Sequence, residues 1–460
     1  MTSDKDGYPL RECRLDGNES GLWNWAQNTL LADKSRIHTP TTEDELQALI
    51  AGSPGKIRVI GNRMSSGRML TLAAEDGILV DLCHLRGLIA LTENTATFAG
   101  GTPLQEVYDT LTDMDRMLAA SPGVIAVQTL AGALATGTHG QGLQQSSIAD
   151  DVLSLRMVLA DGSAELFDRQ HPAFAAVMLG LGCLGVVTQV TLRIQPLMVY
   201  TCFKNAVSAD NLGNDLLAWN QDYALSKAWW FPNENQVHVW NARMADRQET
   251  SDYYQNHGRL LKQEQTSDAM NETVDKTLNN MRNDTQIVDD NGKPFRTVTR
   301  FRDFSDVTGD VYQVFCRGIA TPQINVEIGI PLERVPPVID QIRQWHTRTQ
   351  PHMHYPVILR CTGPSRSWLS PAYQQDTCFF GFVVYYAEDG SLSEEGVDFL
   401  KSVEKILAAA GGRPHWGKYF DDTLYDWPAL YPQWQAFRRV RETLDPQHKF
   451  ANVFTAKLLD

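Results

Sequence analysis

The first two hundred residues alternate short apolar runs with amphipathic stretches, a pattern of strands interleaved with helices. Ile37-His38-Thr39 closes on Pro40, and Thr41-Thr42 followed by Glu43-Asp44-Glu45 supplies capping and acidic first-turn residues for a helix through Ile50. Ile57 to Gly61 predicts a strand ending on glycine, and Gly77 to Leu82 and Thr95 to Gly101 predict two more. From Pro103 to Leu111 the apolar residues Leu104, Val107, Tyr108 and Leu111 share one side of a helix. Val152 to Leu159 reads as an apolar strand, and Val186 to Ile194 alternates over a longer one closed by Pro196. This half looks self-contained up to about Leu197.

The pattern then weakens. Residues from roughly Arg247 to Asn291 are rich in charged and amide side chains, with Leu260, Leu261, Met270, Val274, Leu278 and Met281 at helical spacing. Exposed helices or a mobile cover are expected there, with disorder as the alternative. Gln323 to Pro331 predicts a strand, Arg334 to Trp345 an amphipathic helix, and Val357 to Cys361 and Phe379 to Tyr386 further strands. Mixed elements of this kind predict an α+β fold with a second α+β domain.

At 460 residues the chain exceeds one hydrophobic core, so two domains are expected. The net charge of −14 argues against nucleic acid or an anionic membrane as partner. Seven scattered cysteines with no C-x-x-C pair support neither zinc nor a disulfide framework, and reduced core thiols are expected. No metal site is expected. Met1 to Arg14 lacks an apolar signal core and no segment has the apolar length of a membrane span, so the sequence reads as cytoplasmic.

Three glycine-rich segments carry the candidate chemistry. Thr129 to Gly142 holds four glycines around His139 in an uncharged stretch. Such density implies a bent backbone with amides aimed at a phosphate or a flat ring, the alternative being a surface loop. Gly61-Asn62-Arg63-Met64-Ser65-Ser66-Gly67 follows a strand and suits a pyrophosphate, although alone it is equally an ordinary turn. Gly180 to Val187 is again small residues before a strand. None is a G-x-G-x-x-G fingerprint or a G-x-x-x-x-G-K-[ST] loop, so neither a Rossmann dinucleotide fold nor phosphoryl transfer is indicated.

In their order these segments resemble the FAD-binding domain of the vanillyl-alcohol oxidase superfamily, most closely its sugar-lactone and alditol oxidases. The resemblance runs through Asn24-Trp25, Ile60-Gly61, Ala131 to Gly140, Ala160-Asp161-Gly162-Ser163 and Leu184 to Val187. It resumes in Arg413-Pro414-His415-Trp416-Gly417-Lys418, Leu444-Asp445-Pro446 and Phe450-Ala451-Asn452. It implies a two-domain fold: an FAD-binding domain over 1–197, an inserted antiparallel-sheet cap (substrate) domain over 198–412, and a C-terminal segment, 413–460, returning to the first. It also implies that Gly61, Asn62, Arg63, Met64, Ser65 and Ser66 hold the FAD pyrophosphate. Thr129, Gly132, Ala135, Thr136, Gly137, His139 and Gly140 would line the flavin and its ribityl chain, with Gly185, Val186, Val187 and Asn452 completing the cofactor site.

Two departures stand out. Relatives with a G-x-G-H-S loop attach flavin through its histidine; Met64 stands at that position here, so non-covalent FAD is expected, and Arg63 replaces a small glycine without evident reason. Sugar oxidases of the group also carry Glu-x-Arg on a cap strand, where this chain has Ile358-Leu359-Arg360. Arg360 and Lys418 remain as candidate catalytic cations, with His415 as a candidate proton acceptor and Thr129, Arg360 and Lys418 as substrate contacts. The blander alternatives are an Arg360 ion pair, a structural Lys418, a β-branched core Thr129, and hydrogen-bonded structural roles for His139 and His415. Of Trp229, Trp230, Trp240 and Trp368, only one or two are expected to line a pocket.

The expected function is FAD-dependent removal of a hydride from a C–H next to a hydroxyl or amine of a small molecule, with electrons passed to dioxygen or another acceptor. Ile358 points away from a standard polyol. The alternatives are a sugar or aldonolactone oxidase whose acid comes from elsewhere, such as Glu327, and a catalytically silent flavin-binding protein.

Overall fold

The computed structural model describes residues 21–72, 77–121, 123, 125–262, 305–316, 323–351, 353–387 and 390–460. In its first unit the predicted helix is present as Glu43–Gly52, where the Thr42 hydroxyl accepts from the Glu45 amide and Leu46 and Ile50 turn inward. Behind it Ile37–His38, Ile78–Asp81 and Ile57–Ile60 form a parallel sheet in that order. A five-stranded antiparallel sheet follows, ordered Ala164–Asp168, Val152–Val158, Val186–Arg193, Thr95–Ala99 and Leu88–Leu91. The alternation read along Val186–Arg193 is real: Val186, Thr188, Val190 and Leu192 are buried and the residues between them less so.

The glycine run departs from its reading as bent backbone throughout. Leu130–Thr136 is helical, with the Thr129 hydroxyl accepting from the Gly132 amide at its start. The chain first turns at Gly137, whose φ of 78° is left-handed, and Gly142 at the end of the run has a φ of 138°. Alanine and leucine tolerate a helix well enough to carry one glycine inside it.

The second unit is a nine-stranded antiparallel sheet. Its order is Leu261–Lys262, Val307–Asp310, Val199–Ser208, Gln236–Met244, Leu225–Phe231, Val357–Thr362, Thr377–Tyr385, Gln323–Pro331 and Arg413–Pro414. One face is apolar, with Ala228, Trp230, Val237, Val239, Ile324, Val326, Ile328, Val357 and Leu359 packed in one core with residues of the helices Leu212–Asp222, Val335–Thr349 and Glu394–Ala409. The alternate residues face the other way and form cross-strand rows. Lys204, Trp240, Lys227, Arg360, Phe379 and Gly329 make one row; His238, Trp229, Ile358, Gly381 and Glu327 make the next.

Arg413–Pro414 hydrogen-bonds to the edge of this sheet, whereas the chain from Trp416 onward joins the core of the first unit through Trp416, Phe420, Trp427, Tyr431, Trp434, Phe437 and Phe454. Of the polar central stretch, Arg247–Gln255 is a helix opened by an Asp246–Glu249 capping box. Met270, Val274, Leu278 and Met281 lie outside the described residues. No disulfide joins the described cysteines, and among the described residues no helix is long and apolar enough to cross a membrane.

Candidate active site

The loop after strand Ile57–Ile60 has an unusual hydrogen-bond account. Among the described residues no acceptor meets the backbone amides of Asn62, Arg63, Met64 or Ser65, while the next amide, Ser66, donates to the Gly417 carbonyl at 2.9 Å. Arg63 has a φ of 58°, so the loop curls through a left-handed residue. Consecutive free N–H groups on such a curl form a concave anion seat, which fits a diphosphate. The left-handed φ explains why glycine suits position 63. Arg63 fills it with its guanidinium turned to the Trp23 carbonyl at 2.8 Å.

Gly61 packs on Thr129 so closely that an added Cβ would collide with the threonine hydroxyl. Thr129 therefore locks the diphosphate loop to the glycine-run helix, and its hydroxyl is committed to capping. The first amides of that helix are also spent inside the protein: Leu130 donates to Thr102 at 2.8 Å and Ala131 to Gly100 at 2.9 Å. The expectation of cofactor-directed amides thus fits residues 62–65 and not residues 130–132. The helix instead leaves Ala131, Gly132 and Ala135 partly uncovered, a smooth strip of small residues that admits a flat ring.

Thr136 bonds back to the Gly132 carbonyl at 3.2 Å. At Gly140 and Gly142 a Cβ would strike Gln145 and the Ala224 carbonyl, so these glycines serve close approach of protein to protein. Gly185 has a φ of 150° and Val186 packs in the core with Leu46, Ile50 and Phe450, whereas Val187 is only partly buried. Asn452 caps Val453–Leu459 and its Nδ2 donates to Arg68 and Thr71 at 2.8 and 3.0 Å, bracing the turn that follows the diphosphate loop.

The candidate catalytic residues converge on one carboxylate, Glu327. Gly381 stands opposite both Ile358 and Glu327, so these three share a row, and Arg360 lies in the next. With no side chain at 381, the Glu327 carboxylate reaches across to the Arg360 guanidinium and pairs with it. From the first unit comes His139: its ring stacks on Phe379 with centroids 3.6 Å apart, its Nδ1 lies 3.0 Å from the Gly140 carbonyl, and its Nε2 lies 3.4 Å from Glu327 Oε1 without an aligned hydrogen bond. From the C-terminal segment come His415 and Lys418. The His415 amide donates to the Glu327 carbonyl at 2.8 Å and the Tyr419 amide to that of Asn325 at 3.0 Å, which runs the segment alongside the Glu327 strand. Trp416 turns the other way, its Nε1 donating to the Leu369 carbonyl at 2.7 Å.

Burial favours the neutral forms here, and the charges adjust it. Burial alone would raise the Glu327 carboxyl, but the Arg360 guanidinium outweighs it and holds the group well below the usual carboxylate range. Burial pushes His415 down to about 3 although Glu327 opposes the shift. His139 is lowered by burial and then by Arg360, and Lys418 by burial and Arg360 against the pull of Glu327. The Lys418 ammonium has no partner among the described residues. His139, Glu327 and His415 present ligand atoms within 4.8 Å of one another, a spacing that metal sites use. Here Arg360 already occupies Glu327 Oε1 and Lys418 faces the same carboxylate, so a metal ion would meet two fixed cations.

Arg360 is therefore ion-paired, and its partner is the residue named as a substitute acid. Trp229 and Trp240 lie on the Arg360 face, with the Lys227 ammonium 5.5 and 5.3 Å from their ring centroids, and Trp230 lies in the helix-side core. Trp368 packs against the core of the first unit. Sequence reading missed Phe379 and Lys227; their signal is positional, since both stand directly opposite Arg360 on its neighbouring strands.

Residues 190–458, more than half the chain, match the D-arabinono-1,4-lactone oxidase family, and residues 35–166 match the FAD binding domain. The chain belongs to the D-arabinono-1,4-lactone oxidase family. As a member it is an FAD-dependent oxidoreductase, and FAD is its cofactor. It is 28% identical to L-gulono-1,4-lactone dehydrogenase of Mycobacterium tuberculosis over 96% of this chain and 99% of that one. It is 24% identical to L-gulonolactone oxidase of Mus musculus (95% and 97% covered) and 26% identical to alditol oxidase of a Streptomyces species (96% and 99%). Its fold is shared by cholesterol oxidase from B. sterolicum, with a TM-score of 0.73 at 16% identity over 96% and 97% of the two chains. This agrees with the vanillyl-alcohol-oxidase-type fold expected of the family member.

Proposed function

We propose that the chain oxidises a carbinol carbon of a hydroxy-lactone, or of a polyol derivative with a similarly masked apolar side, in preference to an open-chain polyol. The observation carrying this reading is the Glu327–Arg360 pair beside Ile358. One carboxylate and two cations remain to meet substrate oxygens, while Ile358 and Trp229 give the adjoining row an apolar wall. FAD, when bound, supplies the hydride acceptor, and residues 62–65 would hold its diphosphate with the strip at Ala131, Gly132 and Ala135 against its ring. Arg360 and Lys418 stabilise negative charge growing on the substrate oxygen, in a buried site where such charges are worth more than in water. Glu327 accepts a hydrogen bond from the substrate hydroxyl and fixes which hydroxyl faces the reaction.

The test is anaerobic bleaching of the holoenzyme by L-gulono-1,4-lactone and by xylitol under matched conditions. Faster bleaching by the lactone supports the reading; faster bleaching by xylitol overturns the substrate class. Tight FAD with no bleaching by either, or by a wider panel of hydroxy-lactones, points to a silent binder. The same reading includes non-covalent FAD, supported by Met64 in the diphosphate loop: acid precipitation leaves the flavin in solution, and flavin pelleting with the protein refutes it. Repeating turnover with dioxygen and with a dye acceptor separates oxidase from dehydrogenase.

A further inference from the structure

The hydrogen-bond account of His139 is one proton short. Nδ1 faces the Gly140 carbonyl, which can only accept, so Nδ1 carries the ring hydrogen. Nε2 of the neutral ring is then a bare lone pair. It is buried without a hydrogen-bond partner and points at Glu327 Oε1, 3.4 Å away, which is also an acceptor. Two acceptors face each other in a side chain only 3% exposed, and a buried unmade hydrogen bond of this kind is costly. The conflict disappears when one proton enters between them. Glu327 in turn spends Oε1 on Arg360, and its other oxygen, Oε2, has no partner among the described residues.

We propose that His139 and Glu327 together hold the proton that the substrate hydroxyl loses, His139 being a positioning residue that acts through Glu327. This rests on the reading of Glu327 as the substrate's hydroxyl acceptor. The substrate O–H bond breaks as its C–H electron pair leaves as hydride to the bound flavin, and the proton goes to Glu327 Oε2. A half-turn of the carboxyl about its terminal torsion, which is broad and nearly two-fold for glutamate, carries that proton to the Nε2 side. It ends on Nε2 as an imidazolium bonded to the restored carboxylate, stays there while the flavin is reduced, and returns to solvent on reoxidation.

The neighbours suit no other group as well. His415 uses Nδ1 to accept from the Gly417 amide at 3.1 Å, so its lone pair is already engaged and Nε2 carries the hydrogen. Arg360, from its own strand, and Lys418, from the C-terminal segment, are cations with no proton vacancy. Phe379 covers one face of the His139 ring and excludes water from it.

The experiment reads protons and needs no substrate. The FAD-loaded holoenzyme is reduced anaerobically with dithionite in weak buffer containing an indicator dye, and proton uptake per flavin is compared between wild type and His139→Gln. The reagent's own protons cancel in the difference. Greater uptake by the wild type, by up to one proton per flavin, is expected, and equal uptake overturns the proposal. Should His139→Gln not load FAD, nitrogen-15 spectra of histidine-labelled wild type decide the matter. One imidazole passing from singly to doubly protonated on reduction is expected, and no such change overturns the proposal. Failure of every lactone and polyol to bleach the flavin would sink the substrate reading and leave this measurement intact.

Discussion

Position 381 shows how much one missing side chain decides. A glycine there lets Glu327 reach Arg360 from two strands away, so the acid absent at position 358 arrives by a route that linear spacing does not display. Arg360 and Lys418 were legible in the sequence as motif residues, and Ile358 as a gap. Glu327 could be named only as a substitute, because its approach depends on strand order. Cutting it back exposes the dependence: Glu327→Ala leaves a buried guanidinium unpaired and should cost about 3–5 kcal/mol, as seen when one member of a buried pair is removed. Denaturant unfolding of the FAD-loaded protein measures this, and pairing it with Arg360→Met should recover part of the loss. At Gly61, substitution by alanine forces a Cβ into the Thr129 hydroxyl. Gly61→Ala should therefore lower the flavin-to-protein absorbance ratio retained after gel filtration, by displacing the loop proposed to seat the diphosphate.

Among the elements, the turn from His415 to Lys418 does two jobs with opposite faces. His415 and Lys418 look toward Glu327, while Trp416 is fully buried and stacks on Trp427 with centroids 5.3 Å apart. Trp416→Ala should cost about 3–5 kcal/mol by the usual scale for large aromatic truncations. Through the turn it should also slow flavin bleaching by L-gulono-1,4-lactone, and thermal unfolding with stopped-flow bleaching reads both effects. The glycine-run helix is the element that periodicity could not reveal: seven residues carry too few turns for a pattern, and its small side chains have little amphipathic contrast. The strands Val199–Ser208, Leu225–Phe231 and Gln236–Met244 were likewise unseen, because buried residues fall on both faces and erase the alternation. The helix Glu43–Gly52, with its cap and acidic first turn, was readable because those signals are local.

Over the whole molecule, burying neutral histidine among charges sets an acid limit to stability. His415 titrates near 3 when folded against about 6.5 in an unfolded chain. Below pH 6.5 the unfolded chain binds the proton that the folded one refuses, so this stability is fully present above 6.5 and is lost as the pH falls toward 3. The slope for one such group is about 1.4 kcal/mol per pH unit. The depressed Glu327 carboxyl acts in the same direction at lower pH, since its stabilisation holds above the ordinary carboxylate range and fades as protons reach it. The thermal midpoint should fall from pH 7 to pH 5, and His415→Gln should flatten that fall.

The two units also meet through main chain beside the site. The Gly142 amide donates to the Cys361 carbonyl at 2.6 Å, the Gly363 amide to that of Gln145 at 2.7 Å, and the Arg366 amide to Asp150 Oδ1 at 2.8 Å. These stitches lie close to Arg360 in the chain, so lifting the sheet off the first unit would tear bonds next to the Glu327–Arg360 pair. A vault riveted at its keystone does not open by swinging its roof. Substrate must then enter with the two units already joined.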